Sequence, residues 1–349
     1  MNRIIYDVDN TLTANIPDCS YQDKPVSSFF LESGIQPRKD FGVAYYTARN
    51  MKSFNEDLDK INDVTKPIMQ EWLINNGFPN ANLYLGKPYC GEKGVYVDDR
   101  AVNIRNHKFA VNSGLLDKHI YVVVTLYNAI HCIEDIVLQL IELATLCLNL
   151  KVLLVDNNSS DGTVDYIKKV SSAYPFLDVL ELKNNVGYGG AVLRALPFYT
   201  AACEDEEYSL VVAHGNSKYS ILDFLKGIAQ NGFVSDLCFT KRVNRAFSEY
   251  VTTYSLYLIY FLTMRLEIVD CIGACRYTPH SKIKDLNFSN APTDYRFDIW
   301  LSIQLSKEKK CSISLPQTNF ITHRSTWNKS YLLRLKMIFS YIKLIFIHK

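Results

Sequence analysis

Val152-Leu153-Leu154-Val155-Asp156-Asn157-Asn158-Ser159-Ser160-Asp161-Gly162-Thr163 reads as a buried strand, a polar turn and the start of a helix. Four consecutive apolar residues leave no polar face, which is the pattern of a parallel strand covered on both sides. Asn, Ser, Asp and Gly then supply the turn and cap chemistry. A carboxylate at the strand end, Asp156, is placed to accept hydrogen bonds from a base or a ribose. The bland reading of Asp156 is a turn residue.

Working outward, Asn184-Asn185-Val186-Gly187-Tyr188-Gly189-Gly190-Ala191 sets three glycines ahead of a helix. Backbone without a side chain lets a ligand come close, and a helix N-terminus favours anions. His119 to Thr125 forms the strand before this pair, with a helix through Cys147. That strand runs into Thr125-Leu126-Tyr127-Asn128 rather than into a Gly-rich loop bearing Arg and Lys, which argues against a nucleotidylyltransferase.

The turn around Asp156 and the glycines that follow it resemble the family 2, GT-A glycosyltransferases, particularly the polyprenyl-phosphate sugar synthase branch. The resemblance implies a nucleotide sugar as donor substrate, with Asp156, Asn158, Asn185, Gly187, Gly190, Asn216 and Arg324 as its binding residues. The sequence departs from the family at Val212-Ala213-His214-Gly215-Asn216-Ser217-Lys218-Tyr219, where one or two aspartates would hold the metal under the diphosphate. Asparagine is a neutral, weaker oxygen ligand for a hard cation, so a metal in this half is left uncertain. Three readings stay open: basic groups such as Lys218 offset the diphosphate charge, His214 and Asn216 form a metal site, or transfer has been lost and the domain only binds. Thr322-His323-Arg324 and Lys329 resemble the late basic motif of the same branch, with Trp327 where glycine is usual. In Asp294-Tyr295-Arg296-Phe297-Asp298, Asp298 is the candidate general base for a hydroxyl acceptor, with Asp294 behind it; the alternative is a solvated helix start.

The N-terminal part carries a second constellation. Asp7-Val8-Asp9-Asn10-Thr11 follows the apolar run from Arg3 to Tyr6, and alternate residues past a strand end aim both carboxylates at one pocket. Tyr46-Thr47-Ala48-Arg49 ends a second run, 42 to 46, and Gly86-Lys87-Pro88 is a loop lysine suited to a phosphoryl group. Asp98 and Asp99 follow a third run, 94 to 97. One carboxylate can attack, the other can move protons, and a magnesium ion held by further carboxylates can neutralise the phosphate.

These residues resemble the haloacid-dehalogenase phosphatases. Tyr46 to Met51, Lys60-Ile61-Asn62, Gly86 to Gly91 and Tyr96 to Arg100 look like the capsule-biosynthesis subgroup. That resemblance implies Asp7 as nucleophile, Asp9 as general acid and base, and Thr47 and Lys87 as phosphate binders. It also implies Mg2+ held by Asp7, the Asp9 carbonyl and Asp98, with Asp99 supporting the shell. Only about 30 residues separate Thr11 from the next strand, too few for a large cap.

The expected organisation is α/β in two domains: a Rossmann-like phosphatase sheet without a large cap over 1–115, and a GT-A sheet over 116–330. A basic amphipathic tail fills 331–349. Composition agrees with ordinary globular domains, at 48% hydrophobic and 21% charged residues. The net charge of +2 conceals a tail from Lys309 onward with eight Lys or Arg and no Asp or Glu. Lys336, Ser340 and Lys343 fall on one stripe of Tyr331 to Ile347, which predicts a helix lying on the membrane surface, with docking into the core as the alternative. Recognition motifs for nucleic acid are missing, so none is expected as a partner. Nine cysteines at irregular spacing and the lack of a charged leader predict the cytoplasm, or its membrane face. The expected activity is dephosphorylation of a sugar phosphate joined to glycosyl transfer onto a lipid-linked or polysaccharide acceptor, in surface-polysaccharide assembly.

Overall fold

The computed structural model describes residues 2–9, 12, 13, 41–87, 104–215, 220–242, 275–305 and 310–315, together with 254, 257, 258, 336 and 338–343. The chain divides into two compact units, Met1–Asn112 and Ser113–Lys349.

In the first unit β1 (Asn2–Asp7), β2 (Phe41–Tyr46) and β3 (Asn82–Tyr84) form a parallel sheet in that order. The helix α1 (Leu58–Asn75) starts at Asp57, whose side chain accepts a bond from the Lys60 amide at 3.1 Å. This satisfies one of the amides a helix start leaves without an intrahelical partner. Its Met69, Trp72 and Leu73 pack with Tyr6, Val8, Leu12, Tyr45 and Leu83 in one buried cluster. A further helix, α2 (Ile104–Asn112), is joined to this unit by His107, which is 3.1 Å from the Tyr6 hydroxyl. β3 was not foreseen: three residues are too short a run to show a period. The stretch 94–97, expected to be a strand, lies outside the described residues.

The second unit is a seven-stranded mixed sheet. Its strands are β4 (His119–Leu126), β5 (Asn149–Asp156), β6 (Leu177–Glu181), β7 (Ser209–His214), β8 (Leu237–Arg242), β9 (Cys275–Thr278) and β10 (Lys310–Leu315). Their spatial order is β10-β8-β9-β7-β4-β5-β6, with β9 antiparallel to both neighbours and the other pairs parallel. The helices α3 (Ile133–Leu146), α4 (Thr163–Ser171), α5 (Tyr188–Ala202) and α6 (Ile221–Gln230) alternate with the first strands. After β9 come α7 (His280–Ile283), a single 3-10 turn at Phe288–Asn290 and α8 (Phe297–Gln304).

Every residue of β4 from Ile120 to Leu126 is buried, as a central strand covered on both faces requires. A core of Val123, Leu153, Val155, Ala191, Tyr199, Val212, Phe239, Phe297 and Trp300 joins the sheet to α5 and α8. The chain reverses in β9, a four-residue strand that includes the buried Arg276. The apolar sequence over 254–264, whose composition reads as a helix, lies mostly outside the described residues.

The described part of the tail departs from the membrane-surface expectation. Tyr341 is fully buried in the core of the second unit, its ring edge-on to Tyr295 at 5.4 Å. Ser340, expected on the polar stripe, instead bonds the Tyr295 hydroxyl at 3.0 Å. The core offers an aromatic surface to this segment, which the stripe of Lys336, Ser340 and Lys343 did not reveal. No helix among the described residues is long and apolar enough to cross a membrane.

Candidate functional site

Two groups of polar residues gather at the carboxyl ends of the parallel strands, one in each unit. In the first unit the β-ladder continues past the strands. The Val8 amide donates to the Tyr46 carbonyl at 3.1 Å, the Thr47 amide to Tyr84 at 3.1 Å, and the Lys87 amide to Thr47 at 3.2 Å. Main-chain bonds therefore fix the loops that carry Asp7, Asp9, Thr47 and Lys87 relative to one another.

The side chains form two pairs. The Lys87 ammonium donates to Asp7 Oδ2 at 2.8 Å. Asp9 accepts from the Thr47 hydroxyl through Oδ2 and from Arg49 Nη1 through Oδ1, the latter at 2.8 Å. Thr47 is held in turn by the Arg49 amide at 2.9 Å. Burial pushes the Asp7 carboxyl above its ordinary value and the charge of Asp9 adds to this, while Lys87 pulls it down without cancelling the rise. The sequence did not single out Arg49 as a site residue, although it stands two positions past Thr47 in the same motif. Asp98 and Asp99, expected to complete the metal shell, lie outside the described residues. Asp7 and Asp9 are hard oxygen donors of the kind magnesium takes, but their carboxylates are engaged by Lys87, Thr47 and Arg49. No cluster of three or more His, Cys, Asp or Glu able to hold a metal is found among the described residues.

In the second unit the loops after β5, β6 and β7 are held to the ends of neighbouring strands in the same way. The Asn157 amide donates to Leu126 at 2.9 Å, the Leu182 amide to Asp156 at 2.9 Å and the Gly215 amide to Thr125 at 2.7 Å. Asp156 is only 1% exposed. Its Oδ2 accepts from the Ser159 amide at 3.0 Å, while Oδ1 is buried with no hydrogen-bond partner among the described residues. A buried carboxylate oxygen without a donor is costly, which leaves this one open to a donor from a ligand.

Asn157 links this loop to the glycine-rich one. Its amide group donates to Asn185 Oδ1 at 3.1 Å and to the Gly187 carbonyl at 3.3 Å, and its oxygen accepts from the Val186 amide at 2.9 Å. Asn158 turns the chain with a positive φ of 66°. Asn185 also takes the Gly187 amide, at 3.0 Å.

The glycines do something other than expected. At Gly187, whose φ is +78°, a Cβ would stand 2.5 Å from the Thr293 carbonyl oxygen. At Gly189 it would strike the Pro292 carbonyl and come within 2.8 Å of Phe297 Cβ. The Gly190 amide donates to Thr293 at 2.6 Å and the Gly189 amide to Asp294 at 3.3 Å. The close approach that glycine permits is therefore to the protein's own backbone at 292–294. These two amides at the start of α5 are engaged there.

Asp298 also departs from the expectation of an open general base. It lies on α8 with its side chain 6% exposed, Oδ1 accepting from the Tyr188 hydroxyl at 2.8 Å and Oδ2 within 3.1 Å of His214 Nε2. Tyr188 is stacked on His214, ring centroids 3.8 Å apart and 13° from parallel. Burial raises the Asp298 carboxyl, but Arg276, His214 and Tyr188 outweigh it and hold the carboxyl below the usual range. The same burial and the same carboxylate push the Tyr188 hydroxyl well above its ordinary value. The signal for burial was present in Phe297-Asp298-Ile299-Trp300, an acid enclosed by large apolar residues. Asn216, Lys218 and Arg324 lie outside the described residues.

Residues 121–202 match the glycosyl transferase family 2 model. This family 2 segment runs from β4 through α5 and includes Asp156, Asn157 and the glycine-rich turn. Similar solved structures include glucosyl-3-phosphoglycerate synthase from Mycobacterium tuberculosis in complex with Mn2+, UDP and glucosyl-3-phosphoglycerate. It is 17% identical, with 69% of this chain and 83% of that one covered and a TM-score of 0.50. Mannosyl-3-phosphoglycerate synthase from Rubrobacter xylanophilus is 13% identical over 69% and 77% of the two chains, again with a TM-score of 0.50. At these identities the likeness is one of fold. A crystal structure from Vibrio cholerae is 38% identical, covering 30% of this chain and 85% of that one, with a TM-score of 0.26. A search of curated proteins finds no match.

Proposed function

We propose that the second unit transfers a glycosyl group from a nucleotide sugar. The observation that carries this is Asp156 Oδ1, a buried carboxylate oxygen without a partner among the described residues, at the carboxyl edge of the sheet and within the segment that matches the family 2 model. A base N–H or a ribose hydroxyl supplies the donor it lacks. The acceptor class is a hydroxyl on a small phosphorylated compound, as the names of the two synthases suggest, or on a lipid-linked glycan. Calorimetry with a panel of UDP- and GDP-linked sugars, followed by an assay for nucleoside diphosphate release, tests this. A chain that binds none of them refutes it.

A binding role without transfer is the second reading. It is favoured by His214 and Asn216 standing where the family resemblance expects aspartates. Nucleotide-sugar binding with no turnover under any divalent cation would establish it.

The first unit we read as a magnesium-dependent phosphatase acting on a sugar phosphate or similar precursor. Asp7, paired with Lys87, is the attacking carboxylate; Asp9, oriented by Thr47 and Arg49, moves the proton; Lys87 and Thr47 hold the phosphoryl group. Magnesium bound by Asp7, the Asp9 carbonyl and Asp98 would neutralise phosphate charge. The two reactions would serve one pathway of surface-glycan assembly in the cytoplasm. Phosphate release from a panel of sugar phosphates, with and without Mg2+, tests the reading; equal release by an Asp7→Asn variant overturns it.

A further inference from the structure

Three separate stretches of sequence meet at Asp298. Tyr188 comes from the glycine-rich turn, His214 from the end of β7 and Asp298 from α8, 110 and 84 residues from their partners. Both carboxylate oxygens are occupied and the side chain is buried. A carboxylate in that position cannot itself reach an acceptor hydroxyl. It can act through the ring it holds.

We propose that His214, not Asp298, takes the acceptor's proton in glycosyl transfer, and that Asp298 and Tyr188 are positioning residues that fix the imidazole. The proposal rests on the transferase reading of the second unit.

The tautomer follows from the partners. An ionised carboxylate only accepts, so the 3.1 Å contact to Asp298 Oδ2 places a proton on His214 Nε2. In the neutral ring the lone pair then lies on Nδ1, and no bond to Nδ1 is formed among the described residues. The side chain retains 29% exposure. Tyr188 lies flat against one face of the ring, so the imidazole has little freedom to turn. His214 pairs with Thr125 across β4 and β7, one strand from Asp156 at the end of β5. The free nitrogen therefore belongs to the same carboxyl edge as the unpaired oxygen of Asp156, where open α/β sheets bind ligands.

The step balances. A bond forms from the acceptor oxygen to C1 of the donor sugar, and the bond from C1 to the diphosphate oxygen breaks with its electron pair leaving on the nucleoside diphosphate. The acceptor's proton passes to Nδ1. The imidazolium that results is stabilised by the Asp298 carboxylate and by the π face of Tyr188. Among the described residues Arg276 and the Cys275 thiol are the other titratable groups that interact with Asp298, and the arginine favours the ionised carboxylate.

The test uses the full chain, a UDP- or GDP-linked sugar that it binds, and water as the acceptor, reading nucleoside diphosphate release. His214→Ala is expected to lower kcat by about 10²- to 10⁴-fold, to leave donor affinity within about threefold, and to regain turnover with added imidazole. The retained affinity shows that the variant is folded. His214→Gln, of similar bulk, should be as slow and should not respond to imidazole. Nitrogen-15 NMR of the histidines should show His214 protonated at Nε2 in the wild type and redistributed in Asp298→Asn. Undiminished kcat in His214→Ala would overturn the proposal, as would a loss confined to donor affinity, which would make His214 a diphosphate or metal ligand. A wild type that binds and cleaves no nucleotide sugar would remove the transferase reading and the base role together; turnover unaffected by His214→Ala would remove the base role alone.

Discussion

Lys87 Nζ stands 2.8 Å from Asp7 Oδ2 although their strands, β3 and β1, are not neighbours. The lysine reaches past the end of β2, so the contact closes the loops of all three strands. Asp7 has a raised carboxyl in the folded chain. A folded state that holds its proton more tightly than the unfolded one is favoured below the ordinary value of 3.8, and loses that advantage as pH rises through the folded pKa. Asp7→Asn should flatten that acid limb in melts taken across pH. At neutral pH relief of burial and loss of the partly buried Lys87 pair largely offset each other, so stability should move by less than about 1 kcal/mol, while phosphate release disappears.

Asp156→Asn should weaken nucleotide-sugar binding by about tenfold or more, because it sets N–H donors where the ligand must donate. The Ser159 amide keeps an oxygen to bond, so folding should be little changed. Calorimetry alongside a thermal melt separates the two effects; a lowered melting point with unaltered affinity would count against the role of Oδ1.

Gly189→Ala should destabilise the second unit by about 1 to 3 kcal/mol, the usual cost of overpacking. The added methyl meets a backbone carbonyl, at Pro292, which has no rotamer to retreat into. Because displacement of 292–294 also shifts the start of α8, the variant should lose the Tyr188 and His214 contacts to Asp298, visible as a changed His214 resonance.

Asp298 predicts acid sensitivity of the opposite sign to Asp7. Its carboxyl is held below the ordinary value, so its stabilisation is complete above 3.8 and is lost as pH falls toward and through the folded pKa. Asp298→Asn should reduce that slope in pH-dependent melts. Asp298→Ala should cost about 1 to 3 kcal/mol, since it removes the buried acceptor of the Tyr188 and His214 bonds.

Tyr341→Ala should cost about 3 to 5 kcal/mol, the range for an excised buried aromatic ring. If the segment merely lay on a membrane, the same change would leave the melting point in solution unaltered and reduce only vesicle binding.

How much of this was legible depended on length and on covering. Val152 to Val155 announces itself because strands buried on both faces are continuously apolar and end where the chain turns polar; the run before Asp7 reads the same way in sequence, although its Ile5 is exposed. Asp7 and Thr47 could be placed at strand ends because each follows an apolar run, whereas Lys87 was legible only as a loop lysine, the strand before it being too short to read. β3 and β9 could not: three and four residues show no period, and a buried Arg276 argues against a strand until its partners are known. Asp298 was legible as chemistry but not as environment, since the tyrosine and histidine that engage it are remote in sequence. The glycines were visible as a demand for close approach, but their sequence did not say to what.

The seam between Gly187–Gly190 and Pro292–Asp294 is written in main-chain atoms. Changing the side chains of Pro292 and Thr293 leaves those main-chain atoms in place, whereas Asp294 also holds Arg296 through its carboxylate, and a single methyl group at residue 189 would jam the seam. A directed-evolution library should find its tolerance on one lip of that seam and almost none on the other.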